Sequence, residues 1–314
     1  MDRQEFGYNL LKIHLPLLAV QFLFASLPAY SKLTFQSFSP ESVTWFRIVL
    51  VALLFSAIFF TSRKEKIKEK KHYLFFALYA LFGVVGNQYL FLKGVQFSTA
   101  INASLLISVI PIFTMITAVV LGKEIFSKLR FGGVLIALLG VLYLLGVSNL
   151  QFDDYFSGNI MIITNALFYS IYLVISKPML EIYKPFTLIT YVFIFAAIEI
   201  FPLTFGDVLQ VNYSFLELYD YYPLLVVLIF GTLLPYLINI FALKRANSTL
   251  VAVYVYLQPV IGAVLAILVL GEEITTKVII SSVLIFVGLS VVSFQDKIRK
   301  SFNRWKSPQN VEIK

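Results

Sequence analysis

The sequence predicts an all-α membrane protein of ten transmembrane helices, arranged as two five-helix inverted repeats with both termini in the cytoplasm. Three observations predict this fold: an apolar composition, ten apolar runs of spanning length, and residues that recur at a fixed distance along the chain. Of the 314 residues, 59% are hydrophobic and 13% are charged, and the mean hydropathy is +0.86. Soluble domains are about 25% charged, so this chain has too little polar surface to cover a soluble core.

Ten apolar runs follow one another along the chain, separated by short connections. They are residues 13–34, 42–61, 73–92, 99–121, 129–148, 158–176, 186–205, 221–243, 249–270 and 278–294. A helix needs about 20 residues to cross a hydrocarbon core, and lipid offers backbone groups no hydrogen-bond partner, so each run is expected to be helical. The longest connection, residues 206–220, is predicted to be a surface loop with room for a short interfacial helix.

The distribution of basic residues predicts the orientation. With the N-terminus in the cytoplasm, the inside segments hold 21 of the 25 Lys and Arg residues, and the outside loops hold only Lys32, Lys93 and Lys277. The net charge of +8 is therefore a topology signal, and we expect no nucleic-acid partner. A cysteine-free chain with short loops fits a multi-pass protein of a bacterial inner membrane.

An internal repeat divides the ten runs into two fives. Four residues of the first half recur at a constant offset of 148 positions: Gly83, Pro111, Glu124 and Gly140 as Gly231, Pro259, Glu272 and Gly288. The predicted repeats are residues 13–148 and 158–294, followed by a basic cytoplasmic tail at 295–314. Because five is odd, the halves enter the membrane from opposite sides, and such inverted repeats give alternating access to a site between them.

The spacing within each repeat resembles that of a known family. A mid-helix proline is followed 13 residues later by a glutamate near a Leu-Gly turn, and then by a glycine 16 residues further on. This pattern resembles the EamA-type repeat of the ten-helix drug/metabolite transporter superfamily, over about residues 15–294, and Arg47 looks like that family's arginine in the second helix. The first copy departs from the pattern, because it reads Leu-Gly-Lys-Glu. The resemblance implies an exporter or permease of small metabolites with a central cavity between the halves.

Uncharged polar residues within the runs are the candidates for substrate binding. Polar groups facing lipid are costly and are expected to face the bundle interior. The candidates are Gln21, Asn87, Asn165, Tyr169, Tyr172, Tyr236, Asn239, Tyr254 and Gln258. Any one of them could instead form only an interhelical hydrogen bond, whereas the set is predicted to line a cavity. Because no Lys or Arg is expected at mid-depth, phosphorylated substrates have no obvious counter-charge.

Two prolines and four charged residues are further candidates. Pro111 and Pro259, near the middle of the fourth and ninth runs, are predicted hinges, with static packing kinks as the alternative. The charged residues have either coupling or structural roles: Arg47, Glu124, Glu199 and Glu272.

Each charged residue has two open interpretations. The two glutamates that precede the fifth and tenth runs fit helix capping or a turn salt bridge, with proton coupling as the alternative. Arg47, one turn into the second run, can reach outward to the membrane surface or pair with a carboxylate. Glu199 is an intramembrane acid and a candidate coupling group, unless the seventh helix ends early near Pro202 and exposes it to headgroups.

The sequence predicts secondary transport of small neutral or zwitterionic metabolites, with amino acids as candidates. The phosphate-binding motif G-x-x-x-x-G-K-[ST] does not occur, which argues against ATP-driven transport. With two histidines, no cysteine and no acidic cluster motif, no metal site or other cofactor is expected. An integral-membrane enzyme acting on a lipid or small-molecule substrate is the alternative from a different class.

The predicted topology is testable because the chain lacks cysteine. In intact cells, an impermeant thiol reagent should label Asp154→Cys, in a predicted outside loop, and should leave Glu65→Cys unlabelled. Permeabilised cells, in which both positions should react, are the control. Labelling of Glu65→Cys from outside would reverse the orientation.

Overall fold

The computed structural model describes residues 10–61, 65–145, 155–261 and 276–306, and its regular elements within these ranges are all helices. In chain order they are α1 (Leu11–Thr34), α2 (Pro40–Thr61), α3 (Lys71–Gln96), α4 (Ala100–Ile107), α5 (Ile110–Val120), α6 (Lys128–Leu145), α7 (Phe156–Ile175), α8 (Pro185–Leu209), α9 (Leu218–Leu243), α10 (Ser248–Ile261) and α11 (Thr276–Lys306). A four-residue helix, Met179–Ile182, joins α7 to α8.

All ten predicted runs coincide with helical residues. Seven helices are long and apolar enough to cross a membrane: α1, α2, α3, α7, α8, α9 and the Thr276–Gln295 part of α11. The fourth run is broken into α4 and α5, the fifth forms the 18-residue α6, and the ninth is described as far as Ile261. Seven spans are therefore shown by length and composition, and the count of ten stays a prediction.

The seventh helix ends later in the chain than predicted. The sequence left open that this helix stops near Pro202, yet α8 continues through that proline to Leu209. A proline inside a membrane helix is tolerated when neighbouring groups satisfy the backbone it frees. The loop predicted at 206–220 is correspondingly shorter and contains one 3₁₀ turn, Tyr213–Phe215, while a second 3₁₀ turn, Leu218–Asp220, begins α9.

The bundle has an apolar exterior and a partly polar interior. Large aliphatic side chains such as Leu53, Leu74 and Ile198 are more than 60% exposed, whereas Asn102 and Asn159 are fully buried. Such an arrangement suits a lipid environment, in which polar groups find their partners inside the protein.

Contacts between the connecting segments define two ends of the bundle. At one end, the Glu65 carboxylate accepts hydrogen bonds from the Lys184 backbone N–H (3.0 Å) and the Thr187 hydroxyl (2.6 Å). At the other end, the Ser37 hydroxyl donates to Asp220 (2.5 Å) and the Lys32 ammonium donates to the Ser98 carbonyl oxygen (2.9 Å). In these contacts the predicted inside segments meet one another at one end, and the predicted outside segments meet at the other. Which end faces the cytoplasm remains a prediction.

One local irregularity occurs in both halves at the predicted offset. A π-helical turn spans Leu81–Val85 in α3, and another spans Ile229–Leu233 in α9, 148 positions later. Each turn contains one glycine of the sequence repeat, Gly83 or Gly231. A π-helical turn breaks the regular i→i−4 bonding and is uncommon, so its recurrence at this offset favours the predicted duplication.

Helices α6 and α11 pack closely because glycines lie at their crossing. A Cβ atom on Gly288 would lie 2.5 Å from the Gly133 carbonyl oxygen and 2.6 Å from the Ala137 backbone nitrogen. Gly140 faces the α11 backbone at Ser281 in the same way. Small residues allow two membrane helices to approach each other at backbone distance.

Substituting Gly288 should therefore separate α6 from α11. We expect Gly288→Ala to lower the free energy of unfolding by about 1–3 kcal/mol through overpacking, measured as a lower melting temperature of the detergent-purified protein. Gly132→Ala is the matched control, because its Cβ would meet no atom within 4 Å. Equal melting temperatures for the two variants would contradict the described packing.

Candidate functional site

A cavity that is partly open to solvent lies within the bundle, with walls from α1 to α5, α7, α9 and α10. Seven of the nine predicted binding residues line it: Gln21, Asn87, Asn165, Tyr169, Tyr236, Asn239 and Gln258. The structure thus brings most of the predicted set to one place.

Tyr172 and Tyr254 do not belong to this lining. The Tyr172 ring packs against α3, where a Cβ atom on Gly83 would lie only 2.3 Å from its Cδ2. The Tyr254 hydroxyl lies 2.5 Å from the His14 ring nitrogen Nδ1, in a contact between α10 and α1. The described contacts of these two tyrosines are packing contacts between helices, and their role in substrate binding stays a prediction.

The sequence analysis missed the apolar part of the wall. It consists of Phe24, Leu27, Pro28, Phe91, Ile107, Ile110, Val251 and Val255. Helical spacing offered a signal for some of them, since Phe91 lies one turn after Asn87, and Val251 and Val255 precede Gln258 at i−7 and i−3. Apolar residues elsewhere in the spans have the same composition, so only the partner helices distinguish them.

Hydrogen bonds between helices hold the polar side chains of the cavity. The Asn165 side-chain amide donates to the Asn87 carbonyl oxygen (2.6 Å), and the Gln258 amide donates to Gln21 Oε1 (2.9 Å). The Asn239 amide donates to the Tyr169 hydroxyl (2.7 Å). Each amide still has a second N–H and each hydroxyl a further hydrogen-bonding position. Interhelical bonding and cavity lining, posed as alternatives, therefore both hold for these residues.

Tyr236 connects the two halves at a π-helical turn. Its hydroxyl lies 2.9 Å from both the Gly83 carbonyl oxygen and Asn87 Oδ1. The π-helical turn of α3 contains Gly83, so its exposed carbonyl oxygen is available to a side chain from α9. This contact fixes one polar corner of the cavity.

Arg47 also lines the cavity, against expectation. Helix α2 begins at Pro40, so Arg47 lies about two turns into it rather than one. Its side chain is 2% exposed and runs inward, where Nε donates to the Thr232 hydroxyl (2.7 Å) and Nη2 to the Gly231 carbonyl oxygen (3.0 Å). It neither reaches the membrane surface nor pairs with a carboxylate in the part of the chain that the structure describes. A cation therefore lines the cavity, which the sequence analysis did not predict, because the long side chain carries its charge inward.

Both predicted hinge prolines follow an interruption of a regular α-helix. Pro111 lies in the first turn of α5, and residues 108–109 separate α5 from α4. Pro259 follows a 3₁₀ turn at Tyr254–Tyr256. The residues four positions before the two prolines, Ile107 and Val255, line the cavity. Bending at either proline would therefore move the cavity wall, and the hinge role stays a prediction.

Glu124 forms the turn salt bridge that the sequence allowed, and it also bonds the other half. Its carboxylate pairs with Arg130 and accepts from the Thr249 backbone N–H (3.2 Å) and hydroxyl (2.8 Å). Thr249 lies in the first turn of α10, so the carboxylate caps that helix instead of the fifth span. Glu272 lies outside the described residues.

Glu199 is within α8 and does not line the cavity. Ten helical residues follow it, so an early helix end does not expose it to headgroups. Its Oε2 atom is buried without a hydrogen-bond partner among the described residues. Within these same residues, no group of three or more His, Asp or Glu side chains could hold a metal ion.

Apolar helices of spanning length around a cavity with polar and apolar walls define an integral, multi-pass membrane protein. The chain belongs to the EamA-like transporter family, whose family model matches it twice, over residues 11–146 and 156–294. Family membership identifies it as a membrane transporter.

Relatives in several organisms have transporter names. The chain is similar to an uncharacterized transporter of Archaeoglobus fulgidus (27% identity, covering 83% of this chain and 90% of the relative). It is also similar to the uncharacterized transporter YyaM of Bacillus subtilis (22% identity, covering 92% and 96%). A third relative is a WAT1-related protein of Arabidopsis thaliana (25% identity, covering 78% and 74%).

A solved crystal structure has the same fold. Its TM-score to this chain is 0.73 at 16% sequence identity, and the match covers 91% of this chain and 98% of the other. At this identity, the likeness supports the fold alone.

Proposed function

We propose that the protein is a secondary transporter of small neutral or zwitterionic metabolites, with amino acids as candidates. It would work as an exporter or permease by alternating access between two five-helix inverted repeats in a bacterial inner membrane. The observation that carries the proposal is a cavity whose lining comes from both halves, with Gln21 and Asn87 on one side and Asn165 and Gln258 on the other.

The hydrogen bonds around the cavity support movement between halves. Asn87–Asn165, Gln21–Gln258 and Arg47–Thr232 each join a helix of the first half to one of the second. The two neutral amide bonds are worth about 0.5–1.5 kcal/mol each and the bond from the charged Arg47 about 1.5–3 kcal/mol, so a ligand that bonds the same groups can replace them as the halves separate. Two similar halves can then exchange shapes, which is the basis of alternating access.

The chemistry of the lining suits a partly apolar ligand. Phe24, Phe91 and the aliphatic wall residues offer contact to an apolar portion, and the amides offer donors and acceptors. Among the described residues the lining contains no Asp, Glu or His, so this part of it lacks the usual groups for general acid–base catalysis. This favours transport over the alternative of a membrane enzyme.

Proton coupling would require acids outside the cavity. Glu199 within α8 and Glu124 at the contact with Thr249 are the described candidates. Glu199 has a buried oxygen without a partner, and intramembrane acids frequently mark proton pathways. Glu124 has three protein donors, which favours a structural role for it.

Asn165 tests the position of the site. In proteoliposomes preloaded with an unlabelled amino-acid mixture, uptake of the same labelled compounds should reveal a transported substrate. Asn165→Ala should raise its half-saturating concentration several-fold, since a lost hydrogen bond costs about 1 kcal/mol. Thr164→Ala is the matched control, because the Thr164 hydroxyl bonds the carbonyl oxygen of Ile160 in its own helix. Equal effects of the two substitutions would argue against a site at this cavity.

The paired prolines test the mechanism. Pro111→Ala and Pro259→Ala should slow transport, because a regular helix restores backbone bonding and resists bending. Pro202→Ala in α8 is the control, since this proline is exposed and away from the cavity. The rates should be compared at equal amounts of inserted protein. Unchanged rates for both hinge variants would leave these prolines as packing features.

A further inference from the structure

The Arg47 guanidinium uses only one of its edges for the protein. Nε and Nη2 form the edge that donates to Thr232 and Gly231 on α9. Nη1 is buried and has no hydrogen-bond partner among the described residues. A guanidinium has five N–H donors in a fixed fork, so the edge formed by Nη1 and the second N–H of Nη2 is left over, and the residue lines the cavity.

Structural anchoring does not account for this arrangement. Burial of an unpaired charge costs several kcal/mol, and a neutral side chain could bond Thr232 and Gly231 without that cost. The lining formed by the described residues holds no acidic residue that would offset the charge. The charge therefore favours a counter-charge from outside the described residues, which a bound ligand can supply.

We infer that the cavity binds its ligand through a carboxylate group, which pairs with the free edge of the Arg47 guanidinium. The inference rests on the proposed function and replaces its substrate class, neutral or zwitterionic molecules, by molecules with a carboxylate; amino acids belong to both classes. A carboxylate matches the guanidinium fork with two parallel hydrogen bonds.

The single positive charge of Arg47 favours a ligand group with one negative charge. Arg47 is the only Lys, Arg, Asp, Glu or His in the lining formed by the described residues. A single guanidinium balances a carboxylate, whereas a phosphate monoester carries close to two charges at pH 7 and has no second cation here. The ammonium group of an amino acid would find neutral oxygen acceptors on Asn87, Asn165 and Asn239, and the aromatic face of Tyr169.

The experiment compares acids with their amides on the wild-type protein. L-leucine, L-phenylalanine and L-methionine are each paired with their carboxamide, which keeps the ammonium and the side chain and removes the negative charge. We expect at least one amino acid to raise the melting temperature of the purified protein, and its carboxamide to bind at least about tenfold more weakly, as expected for loss of a charged hydrogen bond. Equal responses to acid and amide, or no response to any of the three acids, would overturn the inference.

Variants assign the effect to Arg47. Arg47→Gln should remove the preference for acid over amide, and Arg47→Lys should retain part of it because the charge remains. Arg245→Gln is the matched control, since Arg245 is exposed and bonds only its own helix. A preference that survives in folded Arg47→Gln would overturn the inference, and the comparison on the wild type stands without any variant.

The deaminated acids, 4-methylpentanoate and 3-phenylpropanoate, complete the test. Weaker binding than that of the parent amino acids supports a zwitterionic ligand, and equal binding supports a simple carboxylate, both within the inference.

Failure of the inference is distinguishable from failure of the proposed function. Uptake of a solute without a carboxylate, weakened by Asn165→Ala, would overturn only the inference. Arg47-dependent binding without uptake in proteoliposomes would overturn only the proposed transport function.

Discussion

Polar groups within the hydrocarbon core must find their hydrogen-bond partners inside the protein, because lipid offers none. This constraint explains both the cavity and the contacts that surround it. Asn102 of α4 satisfies it by donating a hydrogen bond to Asn159 of α7, away from the cavity. Asn165 and Gln258 satisfy it across the cavity and keep further donors and acceptors there. The same physical requirement thus produces structural bonds where helices touch and a polar lining where they separate.

The two halves are joined at the cavity and at both ends of the bundle, by Ser37 and Asp220 at one end and by two carboxylates at the other. Glu65 bonds Thr187, and Glu124 bonds Thr249, so two connections of the first half hold the starts of two helices in the second. The hydrogen bonds at this end therefore join carboxylates of intermediate exposure to threonines that are buried at the starts of α8 and α10.

Hydropathy and helical spacing predict the helices and much of the site. The spans are recognisable because each is apolar over about 20 residues, and Asn165 and Tyr169 because they lie one turn apart on one face. Tyr172 lies near the same face of α7, yet its ring packs into the space that Gly83 leaves on α3. For Arg47, the sequence gives the depth of the Cα atom but not the direction of a long side chain. Glu124 has a local partner in Arg130, whereas Thr249 is 125 residues away and only the fold brings it near.

The contact between Arg47 and Thr232 also has a consequence for biosynthesis. The two residues are separated by 185 positions, and a ribosome adds about 5–20 residues per second. Helix α2 therefore enters the membrane about 10–40 s before α9 is made. An arginine near the centre of an inserting helix costs about 2.5–3.5 kcal/mol, which the strongly apolar remainder of α2 must offset during that interval. The nascent first half is an incomplete folding unit, and its charged helix reaches its final position only when the second half arrives.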